Sequence, residues 1–402
     1  MEFLYDIVNL EFVVIISFLV VAYYLKSEPL KVFLLFGHVL VIFLLNDVLF
    51  SPSYFGDQMR QTYTAEAIRS GKMGMILDEF GTKMVYSSLI YALFPFPFIN
   101  SIQSVAMINF LIYLLLFVLM MKNNMSNNSV VYFYLLFPSL LLYSSLALRD
   151  TLVLLFLFFG TFLLLIKEMN CLLKYTFTLL VLWPLLVFKP QNYYMFIVAL
   201  ALFFYFRNAG KLRYGIFILI VIIGSFVPEK VPIVGQVYER LEVWRLALYH
   251  DHYEYRWDMI EKFNLMDQYE PLGTGFFLLY QIAKYFFYML LKPFPWECTN
   301  PFQLIQSIEN IVILGMIIWM NKQIIINEKI KLKILFLNCL LFVSMTINGI
   351  VVYNFGTAVR YKFPFIVVYC VFYLYFIKCD ESLRYKNSSR ILSSLVPRSI
   401  SG

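Results

Sequence analysis

The sequence predicts an all-α polytopic membrane protein, and two observations carry that prediction. Of its 402 residues, 61% are apolar, 19% are aromatic and only 14% are charged. A chain with so few charges must expose much of its surface to lipid rather than to water. Apolar runs of about 15 to 20 residues, long enough to cross a bilayer as helices, recur along the whole chain. We therefore expect no sizeable soluble domain between them.

The apolar runs predict about eleven transmembrane helices. These are expected at residues 7–25, 31–50, 104–121, 129–147, 150–166, 173–188, 193–206, 213–228, 305–320, 332–353 and 363–378. Two further apolar stretches, 84–99 and 272–292, are predicted to be interfacial or re-entrant, because an extra crossing would invert the loops that follow. Residues 1–392 then form one integral membrane domain. Residues 393–402 contain LVPR, which resembles a protease-cleavage sequence, and are predicted to be an appended tail.

Positive charge is spread unevenly over the predicted connections. With the N-terminus outside, sixteen Lys and Arg residues fall in short inside loops and in the C-terminal tail, as the positive-inside rule requires. The short outside corners hold only Arg149, Lys189, Arg360 and Lys362. Two long outer segments, 51–103 and 229–304, complete the outside face. We expect the functional site on this face.

Cations held directly against a span on the outside face predict a bound anion. Arg149 and Arg360 lie in tight polar corners, where their planar guanidinium groups suit phosphate oxygens. Pairing is the alternative for Arg149, which adjoins Asp150, and snorkelling to the lipid headgroups is the alternative for Lys362.

The first outer segment contains a predicted helix from Asp57 to Ser70. Asp57 is interpreted either as its N-cap or as a carboxylate that acts as general base for a substrate hydroxyl. Arg60 follows on the same helix and is a binding candidate.

The second outer segment contains a predicted helix within residues 234–263 whose charges sort by face. Arg245, His252 and Arg256 fall within about 20° of one line at about 100° per residue. This face could hold an anion, whereas the alternative is an amphipathic helix lying on the membrane surface. A metal site is a third interpretation, but no flanking pattern fixes its ligand geometry, so neither a metal nor a cofactor is expected. Its candidate ligands are His250, Asp251, His252 and Glu254.

Two carboxylates near the following span need an explanation. Glu297 lies in the sequence KPFPWE, and Glu309 lies just inside a span, where a carboxylate is costly and is usually paired. Each is either a structural partner of a lysine such as Lys292 or Lys284, or part of the site.

Five short motifs follow one another over about residues 50 to 370. They are GDQ at 56–58, LRD at 148–150, KPQNYY at 189–194, KPFPWE at 292–297 and GTAVRYKFPF at 356–365. In this order they resemble the Wzy-type O-antigen and capsule repeat-unit polymerases. The resemblance implies a multi-span glycosyltransferase of the GT-C type in the bacterial inner membrane, with its active site facing the periplasm. It would transfer the growing undecaprenyl-diphosphate-linked glycan onto a new lipid-linked repeat unit.

The resemblance also implies roles for the residues singled out above. Asp57, Arg149 and Arg360 would be catalytic. The substrate-binding candidates are Arg60, Asp150, Lys189, Gln191, Arg245, His252, Arg256, Glu297, Asn354 and Tyr361. The implied partners are lipid-linked oligosaccharides, as donor and as acceptor, and the bilayer, with a chain-length regulator left open and no nucleic acid expected.

Three alternative functions remain open at this point. An O-antigen ligase and a GT-C transferase fed by a polyprenyl-phosphate sugar would share the architecture. A lipid-linked oligosaccharide flippase would instead show inverted repeats and charges along mid-membrane helix faces, which the sequence does not display.

Overall fold

The computed structural model describes residues 2–25, 28–46, 48–49, 56–207, 210–226, 232–254, 269–352 and 355–395. Over these ranges the fold is all-α, as predicted, and contains no strand. Among the described helices, five are long and apolar enough to cross a membrane, and five shorter apolar helices accompany them. The predicted count of about eleven spans is therefore not confirmed by helix length.

The helices follow one another with short connections. They are α1 (Glu2–Tyr24), α2 (Pro29–Leu45), α3 (Gly56–Arg69), α4 (Met73–Leu93), α5 (Ile102–Lys122), α6 (Asn128–Leu136), α7 (Pro138–Ser144), α8 (Asp150–Leu165), α9 (Cys171–Phe188), α10 (Pro190–Phe206), α11 (Lys211–Phe226), α12 (Pro232–Glu254), α13 (Gly275–Leu291), α14 (Pro301–Lys322), α15 (Glu328–Val351) and α16 (Phe355–Leu395). A single 3-10 turn, Pro295–Glu297, lies between α13 and α14.

One predicted span is broken in two. Residues 129–147 form α6 and α7, which are separated at Phe137, where φ is −68° and ψ is 110°. Pro138 has no N–H to continue the α6 hydrogen-bond ladder, so a new helix starts there instead. In the stretch 84–99, residues up to Leu93 belong to α4 and the rest are not helical. The stretch 272–292 contains α13.

The centre of the bundle is made by α5, α15 and α16. Buried residues make up 78%, 78% and 83% of the apolar stretches of these helices. The corresponding shares are 17% for α1 and 22% for α14, which therefore lie at the periphery. The backbones of α13 and α15 approach closely at Gly349, where an added Cβ would overlap the carbonyl oxygen of Tyr285. Lipid tails are as apolar as the helix surfaces, so burying apolar side chains between helices gives little driving force in a membrane. Close packing of this kind is therefore a main source of helix association.

Long-range contacts sort the helix connections into two ends of the bundle. At one end, called the corner end, ion pairs join Asp57, Asp150, Lys189 and Arg360, which come from four separate connections. All four were predicted to lie on one face. The contacts thus bring the outer corners together as the charge pattern indicates.

The opposite end gathers connections that the charge pattern assigned to the other side. Lys31 Nζ donates to Asn128 Oδ1 at 2.8 Å, which joins the start of α2 to the start of α6. Asp380 Oδ1 accepts from the backbone N–H of Asn327 at 2.9 Å, which joins α16 to the start of α15. Alternating chain direction therefore separates the two sets of connections.

Candidate functional site

A chain of alternating charges runs across the corner end. Lys189 Nζ lies 3.6 Å from Asp150 Oδ1, and Arg360 Nε donates to Asp150 Oδ2 at 2.8 Å. Arg360 Nη1 also donates to Asp57 Oδ2 at 3.0 Å. Four residues predicted from sequence thus form one connected series of ion pairs, although Asp57 and Arg360 are 303 positions apart. The pairing of Arg149 with Asp150, which was the alternative considered for Arg149, is not formed, because Asp150 pairs with Lys189 and Arg360.

The charge chain passes from a buried end to an open end. The side chains of Asp150 and Lys189 are 2% and 4% exposed, and that of Arg360 is 18% exposed, whereas that of Asp57 is 40% exposed. Buried charges at this density require partners, because removing one leaves an uncompensated ion. Asp57 is the carboxylate of the chain that remains open to solvent.

Lys189 is shaped by its position between α9 and α10. Its ammonium lies 3.9 Å from the centre of the Tyr361 ring, within the range of a cation–π contact. Burial lowers the pKa of Lys189 below its usual value, although Tyr361 and Asp150 oppose that shift. The ring and the carboxylate therefore offset part of the cost of burying this cation.

A cavity of about 420 Å³ opens beside the charge chain. Three cations from three separate connections line it: Lys83 of α4, Arg149 and Lys189. Within the described part of the chain, no carboxylate lines this cavity, and Arg149 makes no hydrogen bond or ion pair. Lys83 was missed from the sequence because it lies inside a long outer segment, where a single lysine carries no topological signal.

The rest of the cavity wall is aromatic and polar. Gln191 and Tyr361, both predicted as binding residues, line it together with Tyr194 and Trp244. Trp244, from α12, was not predicted. The cavity thus combines two cations without an ion pair to a described residue, Lys83 and Arg149, with the paired Lys189, ring faces and hydrogen-bonding groups.

Local helix geometry places the charged residues. Asp150 is the first residue of α8, where a carboxylate interacts favourably with the exposed N–H groups of the helix end, and Arg149 is the residue before it. On α16, Pro364 lacks the N–H that would bond the carbonyl of Arg360, which weakens this turn of helix where Arg360 lies.

Buried polar side chains hold the backbone of the 145–148 corner. Asn109 Nδ2 donates to the carbonyls of Leu146 and Leu148 at 2.6 and 2.8 Å, and the Tyr91 hydroxyl donates to Leu148 O at 2.9 Å. These bonds satisfy backbone groups that a buried turn would otherwise leave unpaired. Asn109 and Tyr91 therefore fix the backbone position from which the Arg149 side chain extends.

Two more helices contribute to the same support. Gln58 Oε1 of α3 accepts from the backbone N–H of Ala147 at 2.7 Å, and Asn46 Nδ2 donates to Ser145 O at 3.0 Å. These support residues were also missed by sequence reasoning. A signal existed, since Asn109 and Asn46 are polar residues within or at the end of otherwise apolar runs.

Arg245, predicted to hold an anion, is directed to protein acceptors instead. Its guanidinium donates to the carbonyls of Glu270 and Ile350 and to the hydroxyl of Tyr285, and the side chain is 1% exposed. Glu270 in turn accepts from Lys284 Nζ at 3.1 Å. We call Arg245, Glu270, Lys284 and Tyr285 the α12 latch, since they fasten α12 to α13 and α15.

Two other site candidates, Glu297 and Arg60, do not line the cavity. Glu297 is paired with Lys292 at 3.1 Å, which is the structural alternative considered for it. Arg60 is exposed on α3. Arg256 and Asn354 lie outside the described residues, and so does the side chain of His252.

The expectation that Lys362 snorkels is wrong, and the lysine partner that was one alternative for Glu309 is not formed. Lys362 does not snorkel to a surface; it is 2% exposed and donates to Asn310 Oδ1 at 2.6 Å, because its position on α16 faces the bundle. Glu309 is satisfied by Ser139, whose backbone N–H and hydroxyl donate at 2.8 and 2.5 Å, rather than by a lysine. The neutral donors suffice because both lie within reach of its two oxygens.

Among the described side chains, no group of three or more His, Cys, Asp or Glu residues could hold a metal ion. The cavity can bind an anion through its three cations, and a solvent-open carboxylate lies at the far end of the adjoining charge chain. In comparisons with known proteins, no family model matches the sequence, and neither a curated protein nor a solved structure matches it significantly.

Proposed function

We propose that this protein is a membrane glycosyltransferase that polymerises lipid-linked repeat units of a surface polysaccharide. Its donor would be the growing glycan on undecaprenyl diphosphate, and its acceptor a new lipid-linked unit, at the periplasmic leaflet of the bacterial inner membrane. The observation that supports this most is the cavity, where Lys83, Arg149 and Lys189 converge without a carboxylate in the described wall. A diphosphate is an anion that such a group of cations would bind.

The proposed reaction needs positive charge where the leaving group departs. The bond between the anomeric carbon and the diphosphate oxygen breaks, and a bond from the acceptor hydroxyl oxygen to that carbon forms. Negative charge moves onto the diphosphate, and fixed cations stabilise it in the transition state. Arg149 is the leading residue for this role, because its donors are not used by described protein groups.

The acceptor hydroxyl must also lose its proton. Asp57 is the proposed base, because its side chain is 40% exposed and can be reached by a substrate, whereas Asp150 is 2% exposed. Arg360 touches both carboxylates and keeps Asp57 oriented. In this assignment Arg360 positions the base, and Asp150 neutralises the buried cations behind the cavity.

Reconstitution with a purified lipid-linked repeat unit tests the proposal. The wild-type protein should convert the unit into a ladder of longer lipid-linked products on a gel. Arg149→Ala should lower the rate of ladder formation by about 100-fold or more, the range found when one preorganised transition-state donor is removed. Arg213→Ala, an exposed arginine at the start of α11, should leave it unchanged and serves as the matched control.

Three outcomes would contradict parts of this proposal. If wild type forms no lipid-linked ladder but caps a lipid A core when one is supplied, the protein is a ligase. If Arg149→Ala polymerises at the wild-type rate, the cavity is not the diphosphate site. If chelator abolishes the ladder, the expectation of a metal-free reaction is wrong.

A further inference from the structure

Trp244 is the element of the cavity that the proposed chemistry leaves unused. It lies on α12 and lines the cavity beside Arg149 and Lys189, and Tyr194 lines the same cavity with 59% of its surface exposed. Neither ring is required to bind a diphosphate. A large amphipathic ring beside a cation cluster is an arrangement that binds a ligand with both a flat apolar face and a negative group.

The α12 helix holds Trp244 rigidly at this position. The next residue, Arg245, makes the hydrogen bonds of the α12 latch to Glu270, Ile350 and Tyr285. About two turns before Arg245, Tyr238 donates its hydroxyl proton to the carbonyl of Leu272.

Glu242 adds a third fastening close to Trp244. Its carboxylate accepts from the Tyr269 hydroxyl at 2.7 Å and from the Leu272 backbone N–H at 3.0 Å. Trp244 is therefore flanked on both sides by residues that fix its helix, which is the condition for a preorganised contact rather than an adaptable one.

We propose that Trp244, assisted by Tyr194, is the platform for the sugar ring that is attached to the bound diphosphate. This inference rests on the proposed function for the identity of the ligand. The apolar face of a pyranose carries C–H groups with partial positive charge, which pack on the electron-rich face of an indole. The cations would hold the diphosphate while the ring fixes the orientation of the anomeric carbon.

Polar groups around the platform suit a sugar better than a hydrocarbon chain. Gln191 offers an amide, and Tyr194 and Tyr361 offer hydroxyl groups, to the hydroxyls at the edge of a pyranose. A purine or pyrimidine on a diphosphate would use the same ring and cations, so a nucleotide is the competing ligand class that the experiment must separate.

Binding to purified protein in detergent tests the platform without requiring turnover. Farnesyl diphosphate reports the anion site alone. Farnesyl diphosphate carrying N-acetylglucosamine, galactose or rhamnose in turn reports the anion site with a sugar attached, and UDP reports a nucleotide. Calorimetry on wild type, Trp244→Leu, Trp244→Phe and Arg149→Ala gives the Kd of each probe.

We expect Trp244→Leu to weaken the best glycosylated probe about tenfold while changing the Kd of farnesyl diphosphate less than about twofold. Trp244→Phe should restore most of the loss because it returns a ring face. Arg149→Ala should weaken every diphosphate probe. Trp296→Leu is the matched control, because Trp296 is 80% exposed and stacks on Phe294 outside the cavity.

The platform is overturned if Trp244→Leu weakens both probe types equally or neither, or if UDP binds more tightly than the glycosylated probes and shares their dependence on Trp244. Failure of the proposed polymerase is distinguishable, because it appears as glycosylated-probe binding that depends on Trp244 without any ladder of products. If wild type binds none of the diphosphate probes, both proposals fall together.

Discussion

Two arginines from the predicted outside face, Arg149 and Arg245, meet different fates in the folded protein. Arg149 lines a cavity with Lys83 and Lys189 and makes no hydrogen bond to a described residue. Arg245 is buried and donates to the carbonyls of Glu270 and Ile350. The same side chain is thus available to a ligand in one place and committed to the protein in the other.

The difference comes from the acceptors that surround each arginine. Ile350 is the penultimate residue of α15, and the last carbonyls of a helix lack intrahelical partners. Arg245 satisfies that group and draws α12 onto the helix end. Arg149 immediately precedes α8, where the nearby backbone groups are N–H donors that cannot accept from it. Charge alone does not identify an anion site; unspent donors do.

Removing the shared carboxylate of the corner should have the largest effect. Asp150→Asn leaves Lys189 and Arg360 without their buried anion, and breaking such a pair costs about 3–5 kcal/mol of unfolding free energy. The apparent melting temperature in detergent measures this loss. Adding Lys189→Met to Asp150→Asn should recover part of it, since one unpaired cation is removed. No recovery would show that the pair is not what stabilises the corner.

The α12 latch should respond in stability more than in chemistry. Arg245→Met leaves the carbonyls of Glu270 and Ile350 without their donor, which costs about 1–3 kcal/mol for each buried group left unsatisfied. Ladder formation per folded molecule should fall less than it does for Arg149→Ala. If Arg245→Met keeps the wild-type melting temperature and loses ladder formation, the assignment of Arg245 to a structural role and of Arg149 to ligand binding is wrong.

The smallest expected effect is a pH dependence of the latch. Burial raises the pKa of Glu270, but hydrogen bonds from Lys284 and Tyr285 and the charge of Lys284 outweigh burial. The pKa of Glu270 therefore lies below its usual value of 4.5. A lowered pKa adds stability above the unfolded-state value, and that stability is lost as the pH falls through the folded-state value.

Melting temperatures at about pH 6 and about pH 4 should therefore differ more for wild type than for Glu270→Gln. The variant removes the titrating group, and it should be less stable than wild type at the higher pH. Equal pH dependence in the two proteins would mean that the ion pair between Glu270 and Lys284 does not stabilise the latch.

The sequence anticipated much of the charge chain but little of what supports it. Asp57, Asp150, Lys189 and Arg360 were identified because charges are conspicuous beside apolar runs. Their pairing was not, since Arg149 adjoins Asp150 in sequence while Arg360, which is 210 positions away, makes the hydrogen bond. Proximity along the chain is a poor guide where helix ends from different parts of the sequence meet.

Burial limited prediction in a second way. Lys362 was expected at the headgroups, and a lysine partner was one alternative for Glu309. Within the bundle, Lys362 instead donates to Asn310, and Glu309 accepts from Ser139. Sequence periodicity shows how apolar residues are distributed around a helix, but it does not show which face of α14 or α16 contacts a neighbouring helix. Helix packing decides that.

By itself, the sequence determined that the chain is helical and rich in segments that suit lipid, because apolar run length and composition suffice for that. It also indicated that Asp57, Asp150, Lys189 and Arg360 share an end, because charge alternates with chain direction. Only the tertiary structure decided that Arg149 is free for a ligand and Arg245 is not. That distinction depends on whether acceptors lie within hydrogen-bond distance of each guanidinium, and the packing of distant helices sets those distances.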